Sequence, residues 1–361
     1  MTEFMPRLLG RWDSTAKDLL PAYFAMVMAT GIVAIAAHIY GMNYFAQFLF
    51  YVDLIGYAVL WALSLYRMAV HGKRYLADLM DHARGPGFFT VIAGNNTLGS
   101  VFLLVEKNYT IAFGLWIFGF ILWVFYQYFI FSALSLDKNK PTLEKGINGA
   151  WLVAIVSTQS VAVLAAQLSP LHHWMYLVAL VMYMIGWMTY ILVMSLINYR
   201  LLFMKLDASD ITGPYWINMG ATAITTLAGA LLLIEGQGPD FAEFTVIRPF
   251  LLGATLMIWA YGSWWIPWLF IVGIWKYTRG HDRILRYDPF FWSGVFPMGM
   301  YTVSTYMMAK ATTFTQFKVI SDYFVYIAIV AWVYEFIGLV VRIFTGRSRD
   351  NVPMKYKTTM E

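Results

Sequence analysis

Residues 146–199 read GINGAWLVAIVSTQSVAVLAAQLSPLHHWMYLVALVMYMIGWMTYILVMSLINY, without one Asp, Glu, Lys or Arg. A helix needs about 20 mostly apolar residues to cross a hydrocarbon core about 30 Å thick. The run is long enough for two crossings, and Ser169–Pro170 breaks it near the middle. Barrel strands are ruled out, since they read as about ten residues of alternating pattern rather than continuous apolarity. The stretch therefore predicts a pair of membrane helices joined by a short turn.

The rest of the chain follows the same rule. Charge-free runs also lie between Asp18 and Asp53, between Arg84 and Glu106, and over 108–136, 211–234, 249–275 and 289–309. Divided at their breakers, they predict ten spans: 21–40, 45–66, 86–105, 111–136, 148–167, 174–199, 213–234, 249–275, 289–309 and 319–341. Of the 361 residues, 60% are hydrophobic and 12% charged, against about 25% charged in soluble domains. That balance excludes a disordered chain, a disulfide-stapled secreted domain and an ordinary cytosolic enzyme. With no Cys, thiolate catalysis and Cys-based metal sites are excluded too. The fold expected is all-α and integral to the membrane. Its first span is too long for the apolar core of a signal peptide and is read as retained.

Direction comes from the cations. The termini and the loops after spans 2, 4, 6 and 8 hold 21 of the 25 Lys and Arg. Loops rich in Lys and Arg face the cytoplasm, which places both termini there. The expected organisation is a cytoplasmic segment 1–20, a membrane domain 21–344 and a cytoplasmic tail 345–361. The net charge of +5 needs no nucleic-acid partner, because these cations face anionic headgroups.

Odd spans recur at a period of one helical hairpin, five times along the chain. The two members of each hairpin differ. Odd spans hold 20 Ser, Thr, Asn and Gln in 103 residues, and even spans 11 in 124. In a bilayer, polar side chains face protein or water and bulky apolar ones can face lipid. The expectation is an inner ring of odd spans around a central pore, enclosed by an outer ring of even spans.

Candidate pore-lining groups follow from this count. They are Asn95, Asn96 and Thr97 in span 3, and Ser157, Thr158 and Gln159 in span 5. Thr222 and Thr225 in span 7 and Thr302 and Thr305 in span 9 complete the set. Hydroxyls and amides can replace part of an ion's hydration shell; they can equally bond a neighbouring helix or their own preceding turn. No odd span holds an acid in its interior, which suits anions or neutral solutes rather than cations. Lys310 and Arg248 would stand near the outer mouth. Asp53 and Glu335, in spans 2 and 10, are carboxyls inside the membrane and candidate proton carriers. Pro297 in Phe296-Pro297-Met298-Gly299 should kink span 9, and Phe296 beside the break could plug a pore. The six His residues form no metal-ligand spacing, no cofactor motif occurs, and no catalytic constellation supports an enzyme.

Four segments in order carry a resemblance: PAYFAMVMATGIVAIA (21–36), GPGFF (85–89), PYWINMGATAITTLAGA (214–230) and FWSGVFPMGMYTVSTYMMA (291–309). They resemble the tellurite-resistance/dicarboxylate transporter family, which also takes in plant slow anion channels, yeast malate permease and sulfite efflux pumps. The resemblance implies five quasi-symmetric helical hairpins around a pore, a homotrimer with one pore per protomer, and a Phe on the kinked ninth helix as the plug, here Phe296. It implies anionic substrates: chloride, nitrate, C4-dicarboxylates such as malate, sulfite or tellurite-related oxyanions. The resulting expectation is an anion permease of a prokaryotic inner (plasma) membrane. The alternatives are a proton-coupled dicarboxylate carrier working through Asp53 or Glu335, an oxyanion efflux permease, and a membrane receptor that binds without flux.

Overall fold

The computed structural model describes residues 12–237, 244–279 and 289–345. The first eleven residues and the tail from 346 onward, parts of the two expected terminal segments, lie outside the described residues. The described residues are helical, with no strand among them. The long helices are α1 (Ala25–Ile39), α2 (Asn43–Val70), α3 (Phe89–Leu104), α4 (Tyr109–Leu136), α5 (Val153–Leu168), α6 (Trp174–Phe203), α7 (Ile217–Glu235), α8 (Arg248–Arg279), α9 (Trp292–Ala311) and α10 (Gln316–Thr345).

Among the described residues, nine helices are long and apolar enough to cross a membrane, where the sequence led us to expect ten. The shortfall is α9. It is 20 residues long, but Ser293, Thr302, Ser304, Thr305, two Tyr, Pro297 and Lys310 dilute its apolarity. The even-numbered helices run past their expected ends; α6 continues through Arg200 and α8 through Lys276. A charge at the membrane surface ends a hydrophobic run without ending a helix.

The odd helices pack as a closed ring: α1 on α3, α3 on α5, α5 on α7, α7 on α9, and α9 back on α1. Each even helix lies against the odd helix of its own hairpin. Burial divides the same way. The apolar windows of α1, α3, α5 and α7 are 72% to 94% buried, and those of the five even helices 17% to 44%. Large apolar side chains such as Leu192, Leu202, Ile271 and Val330 stand exposed on the outer helices, as a lipid-facing surface requires.

Polar side chains hold the rings together. At each of five seams an aromatic donor on an outer helix bonds a polar acceptor on the inner helix of the next hairpin. Tyr57 on α2 donates to Asn95 Oδ1 on α3 at 2.8 Å. Trp123 on α4 donates to Thr158 Oγ1 on α5 at 2.9 Å, and Tyr190 on α6 to Asn218 Oδ1 on α7 at 2.9 Å. Trp259 on α8 reaches Thr305 Oγ1 on α9 at 3.0 Å. Trp332 on α10 reaches Thr30 Oγ1 on α1 at 3.0 Å and closes the circle. Glycines make room for inner polar groups within hairpins. A Cβ on Gly119 would stand 2.7 Å from Asn95 Nδ2, one on Gly186 2.7 Å from Gln159 Cδ, and one on Gly262 2.8 Å from Thr222 Cβ.

Removing one donor orphans a buried acceptor. Tyr57→Phe and Tyr190→Phe should each destabilise the protein by about 0.6 to 1.7 kcal/mol, the range for hydrogen bonds between membrane helices. Thermal unfolding in detergent checks this; midpoints equal to the wild type for both variants would contradict a stabilising role for the seam bonds.

Candidate functional site

Each inner helix begins with a single tight 3-10 turn: Pro21–Phe24, Gly85–Phe88, Gly149–Leu152, Gly213–Trp216 and Pro289–Phe291. Pro sits in the opening positions of the turns at 21, 86 and 214. There its fixed φ fits the helix start and its missing N–H costs no intrahelical bond. Successive turns touch one another, and the last touches the first. Two glycines permit the approach. A Cβ on Gly149 would stand 2.7 Å from the backbone nitrogen of Tyr215 and collide with the Pro214 carbonyl; one on Gly213 would lie 2.9 Å from the Phe290 carbonyl oxygen.

Within this ring of turns opens a cavity of about 810 Å³, its open mouth included. The wall is a stripe of one residue per turn on each inner helix and its opening turn: Ala22, Ala25 and Met28; Gly87 and Thr90; Ala150 and Val153; Pro214 and Ile217; Phe290, Ser293 and Phe296. A spacing of three keeps residues on one helical face. Phe296 is the deepest of the α9 stripe and is 1% exposed. Its Cε1 lies 3.0 Å from where a Cβ on Gly220 of α7 would be, so the ring rests on bare α7 backbone. Pro297 lies inside α9. Gly299 meets α1, with Ile32 Cγ2 2.9 Å and Val33 Cγ2 3.2 Å from its Cβ position. The Phe296 ring thus packs on α7, while Gly299, three residues on, brings α9 close to α1.

The electrostatics are one-sided. Five helix starts face the cavity, and the N-terminus of a helix carries about half a positive charge with free N–H groups. No acid is among the lining residues. Arg84 stands at the rim, with its Nε 3.2 Å from Asp78 Oδ1. Asp78 also holds Arg67 at 2.5 Å. Two guanidinium groups share the Asp78 carboxylate, and Asp81 Oδ1 accepts from the backbone N–H groups of Ala83 and Arg84 at 2.9 and 2.7 Å, so two cations and two acids stand beside the mouth. Outside the spans, Asp13 pairs with His71 Nε2 at 2.9 Å and tethers the segment leading into Leu20, another wall residue. The hydrogen bond from His71 holds the Asp13 carboxyl below its usual value.

Of the residues singled out in the sequence, Phe296 alone lines this cavity. The polar candidates are engaged elsewhere. Asn95 donates to the Leu115 carbonyl of α4 at 2.7 Å, Asn96 to Ser160 Oγ of α5 at 3.0 Å, and Gln159 to the Tyr183 carbonyl of α6 at 3.1 Å. Thr97 bonds the Ala93 carbonyl. Ser157 and Thr158 both bond that of Ala154. Thr222, Thr225 and Thr302 likewise bond back one turn, to Asn218, Ala221 and Met298, and Thr305 accepts from Trp259. Arg248 donates to the Leu233 carbonyl at 2.8 Å, near the α7 C-terminus, where a cation suits the helix dipole. Lys310 lies 4.8 Å over the Tyr306 ring. Asp53 and Glu335 are buried in α2 and α10. Among the described residues no cluster of metal-ligating side chains occurs. Sequence reasoning missed Arg84, Thr90 and Ser293, and the signal was present: a Pro- or Gly-led turn opens every odd span.

A ring of apolar helices around a cavity with no acid among its lining residues has the architecture of an integral membrane channel or transporter. The chain belongs to the SLAC1 voltage-dependent anion channel family, whose model matches residues 18–340, in agreement with the resemblance read from the four segments. An uncharacterised transporter of Methanocaldococcus jannaschii is 23% identical over 92% of this chain and 97% of its own length. A sulfite efflux pump of Arthroderma otae is 24% identical over 88% of both chains. An uncharacterised membrane protein of Mycobacterium tuberculosis is 38% identical over 42% of this chain and 74% of its own length.

The junction of turns predicts a steric sensitivity. Gly149→Ala drives a methyl into the Pro214 backbone and should cost about 1 to 3 kcal/mol, the range for overpacking. The thermal midpoint measures it, and an unchanged midpoint would show that the turns do not need this approach.

Proposed function

We propose that the protein is a multi-pass plasma-membrane permease for small anions, with one pathway per protomer closed by Phe296. The observation that carries this reading is the convergence of five helix starts on a cavity that has no acid in its wall and ends at Phe296. Backbone N–H groups and helix dipoles attract an anion without a fixed cation at its centre. Weak, distributed attraction lets the ion leave again, as conduction requires. Arg84 is the one cation among the lining residues and sets a guanidinium at the mouth.

The cationic loops put the helix starts and both termini on the cytoplasmic side. In this orientation the cavity is the cytoplasmic vestibule. The reading takes α9 as a tenth crossing, completing five quasi-symmetric hairpins around the pore; its lower apolarity is tolerated because α1, α7 and α10 enclose it. The polar groups of α3, α5 and α7 serve as the framework of the pathway. The exposed apolar faces of the outer helices meet lipid and, in a homotrimer, the neighbouring protomers. Transport rather than catalysis fits a chain without a catalytic constellation.

The substrate class is small inorganic anions or C4-dicarboxylates. Full-length similarity to a sulfite efflux pump supports a second reading within that class, export of an oxyanion.

Flux in proteoliposomes tests the proposal with chloride, nitrate, sulfite, tellurite and malate offered separately. Wild-type protein should pass at least one of them, and Phe296→Ala should raise that flux about tenfold or more, equivalent to removing about 1.4 kcal/mol or more of barrier. Folded Phe296→Ala protein with flux equal to or below the wild type would refute the gate.

A further inference from the structure

Asp53 has no part in the pathway described above. It lies ten residues into α2, about 15 Å along the helix, and is 0% exposed. Neither of its carboxyl oxygens has a hydrogen-bond partner. Its Oδ2 projects toward Gly31 on the inner helix α1, 2.8 Å from where a Cβ would stand. The same position is 2.8 Å from Thr97 Cγ2 on α3. The Thr97 hydroxyl is spent on the Ala93 carbonyl, so that side chain turns a methyl toward the carboxyl. Three helices thus close on an acid and offer it nothing.

No base on the surrounding elements compensates it. From Ala25 to Ala37, α1 carries no ionisable side chain, and His38 lies two turns beyond Gly31. Between Phe89 and Leu104, α3 carries none. On α2, Tyr44 and Tyr51 are exposed, and the Tyr57 hydroxyl goes to Asn95. Arg67 lies further along and is held by Asp78. At the opposite end, Glu106 accepts from Gln47. On α10, which packs on α1, Glu335 is buried, Tyr323, Tyr326 and Tyr334 are exposed, Lys318 pairs with Asp322, and Arg342 is in the last turn. An ionised carboxylate enclosed among such neighbours is heavily disfavoured; a bound proton removes the charge.

We propose that Asp53 is an intramembrane proton-binding site whose occupancy sets the packing of α1 and, through it, the position of Phe296. The link is one turn of α1. Gly31 faces Asp53, and the next two residues, Ile32 and Val33, pack on Gly299, three residues beyond Phe296. With the proton bound, the three helices close as observed. Release passes the proton to water and leaves a carboxylate, which requires water or a cation to enter between α1, α2 and α3. That entry displaces α1 and loosens its contact at Gly299, freeing the Pro297-containing segment that holds the Phe296 ring. The inference rests on Phe296 closing an anion path.

The test is anion flux in proteoliposomes at equal internal and external pH, stepped from about pH 5 to about pH 9, a range that spans the titration of buried carboxyls. The probe is whichever of chloride, nitrate, sulfite, tellurite or malate the wild type carries. Wild-type flux should rise about tenfold or more toward alkaline pH, as a two-state shift predicts. Asp53→Asn keeps the shape of the protonated acid and should stay at the acidic level at every pH. Asp53→Glu should restore a pH dependence, and Phe296→Ala should be high and flat. A flat wild-type profile, or Asp53→Asn titrating like the wild type, overturns the proposal. Should neither wild type nor Phe296→Ala carry any anion, the transport reading falls separately. The proton site is then read without flux, from the protonated-carboxyl stretch in infrared spectra. A band that titrates and is lost in Asp53→Asn supports the site; no such band overturns it.

Discussion

Inside a bilayer an unpaired polar group is costly, and five inner–outer hydrogen bonds pair polar groups of the inner ring with the outer one here. Tyr57, Trp123, Tyr190, Trp259 and Trp332 each supply a donor from the outer ring to the next inner helix. An aromatic residue suits the task, since its body belongs in hydrocarbon and its single polar atom needs one partner. The bonds run from one hairpin to the next, so they order hairpins that short loops alone would leave free to slide. Glycines on the outer helices then take up Asn95, Gln159 and Thr222 at close range. Removing water from these groups makes the framework specific, because an alternative register would leave amides and hydroxyls unpaired.

That use of polarity shapes the centre. With amides committed to neighbouring helices and most hydroxyls to their own preceding turn, the cavity wall is mostly small or apolar side chains and backbone. In the proposed function, attraction for an anion comes from the ends of five helices, which share the charge among many weak donors. The same economy explains Phe296. Where no side chain offers a strong site, an apolar ring can close the path by bulk and dewetting alone. The ring rests on Gly220, and Gly299 brings α9 close to α1, so the proposed closure depends on inner-helix packing rather than on a hydrogen bond that must be broken.

Much of this was legible in the sequence. Charge-free runs located the helices, and the uneven distribution of Ser, Thr, Asn and Gln separated inner from outer. The resemblance singled out Phe296, which does line the cavity. Direction was not legible. A count of polar residues says that Asn95 and Gln159 belong inside the protein, yet cannot say whether they face a lumen or an outer helix. The partners Tyr57 and Tyr183 lie 38 and 24 residues away in sequence. The crossing at α9 was read from length and absence of charge, which its hydroxyls and Pro297 weaken as a hydropathy signal. The vestibule was written in the Pro and Gly that open the odd spans. Read singly they are helix starts; only the packing of five such turns makes them a site.

The central claim is an anion-attracting vestibule that opens to the cytoplasm and stops at Phe296. The chain has no native Cys, so a single Val153→Cys places one thiol in the cavity wall. Its rates of reaction with anionic and cationic methanethiosulfonate reagents, added to either face of sealed vesicles, test the claim most directly. The account predicts reaction from the cytoplasmic face only, faster with the anionic reagent. Reaction from the outer face alone, or a preference for the cationic reagent, would contradict it.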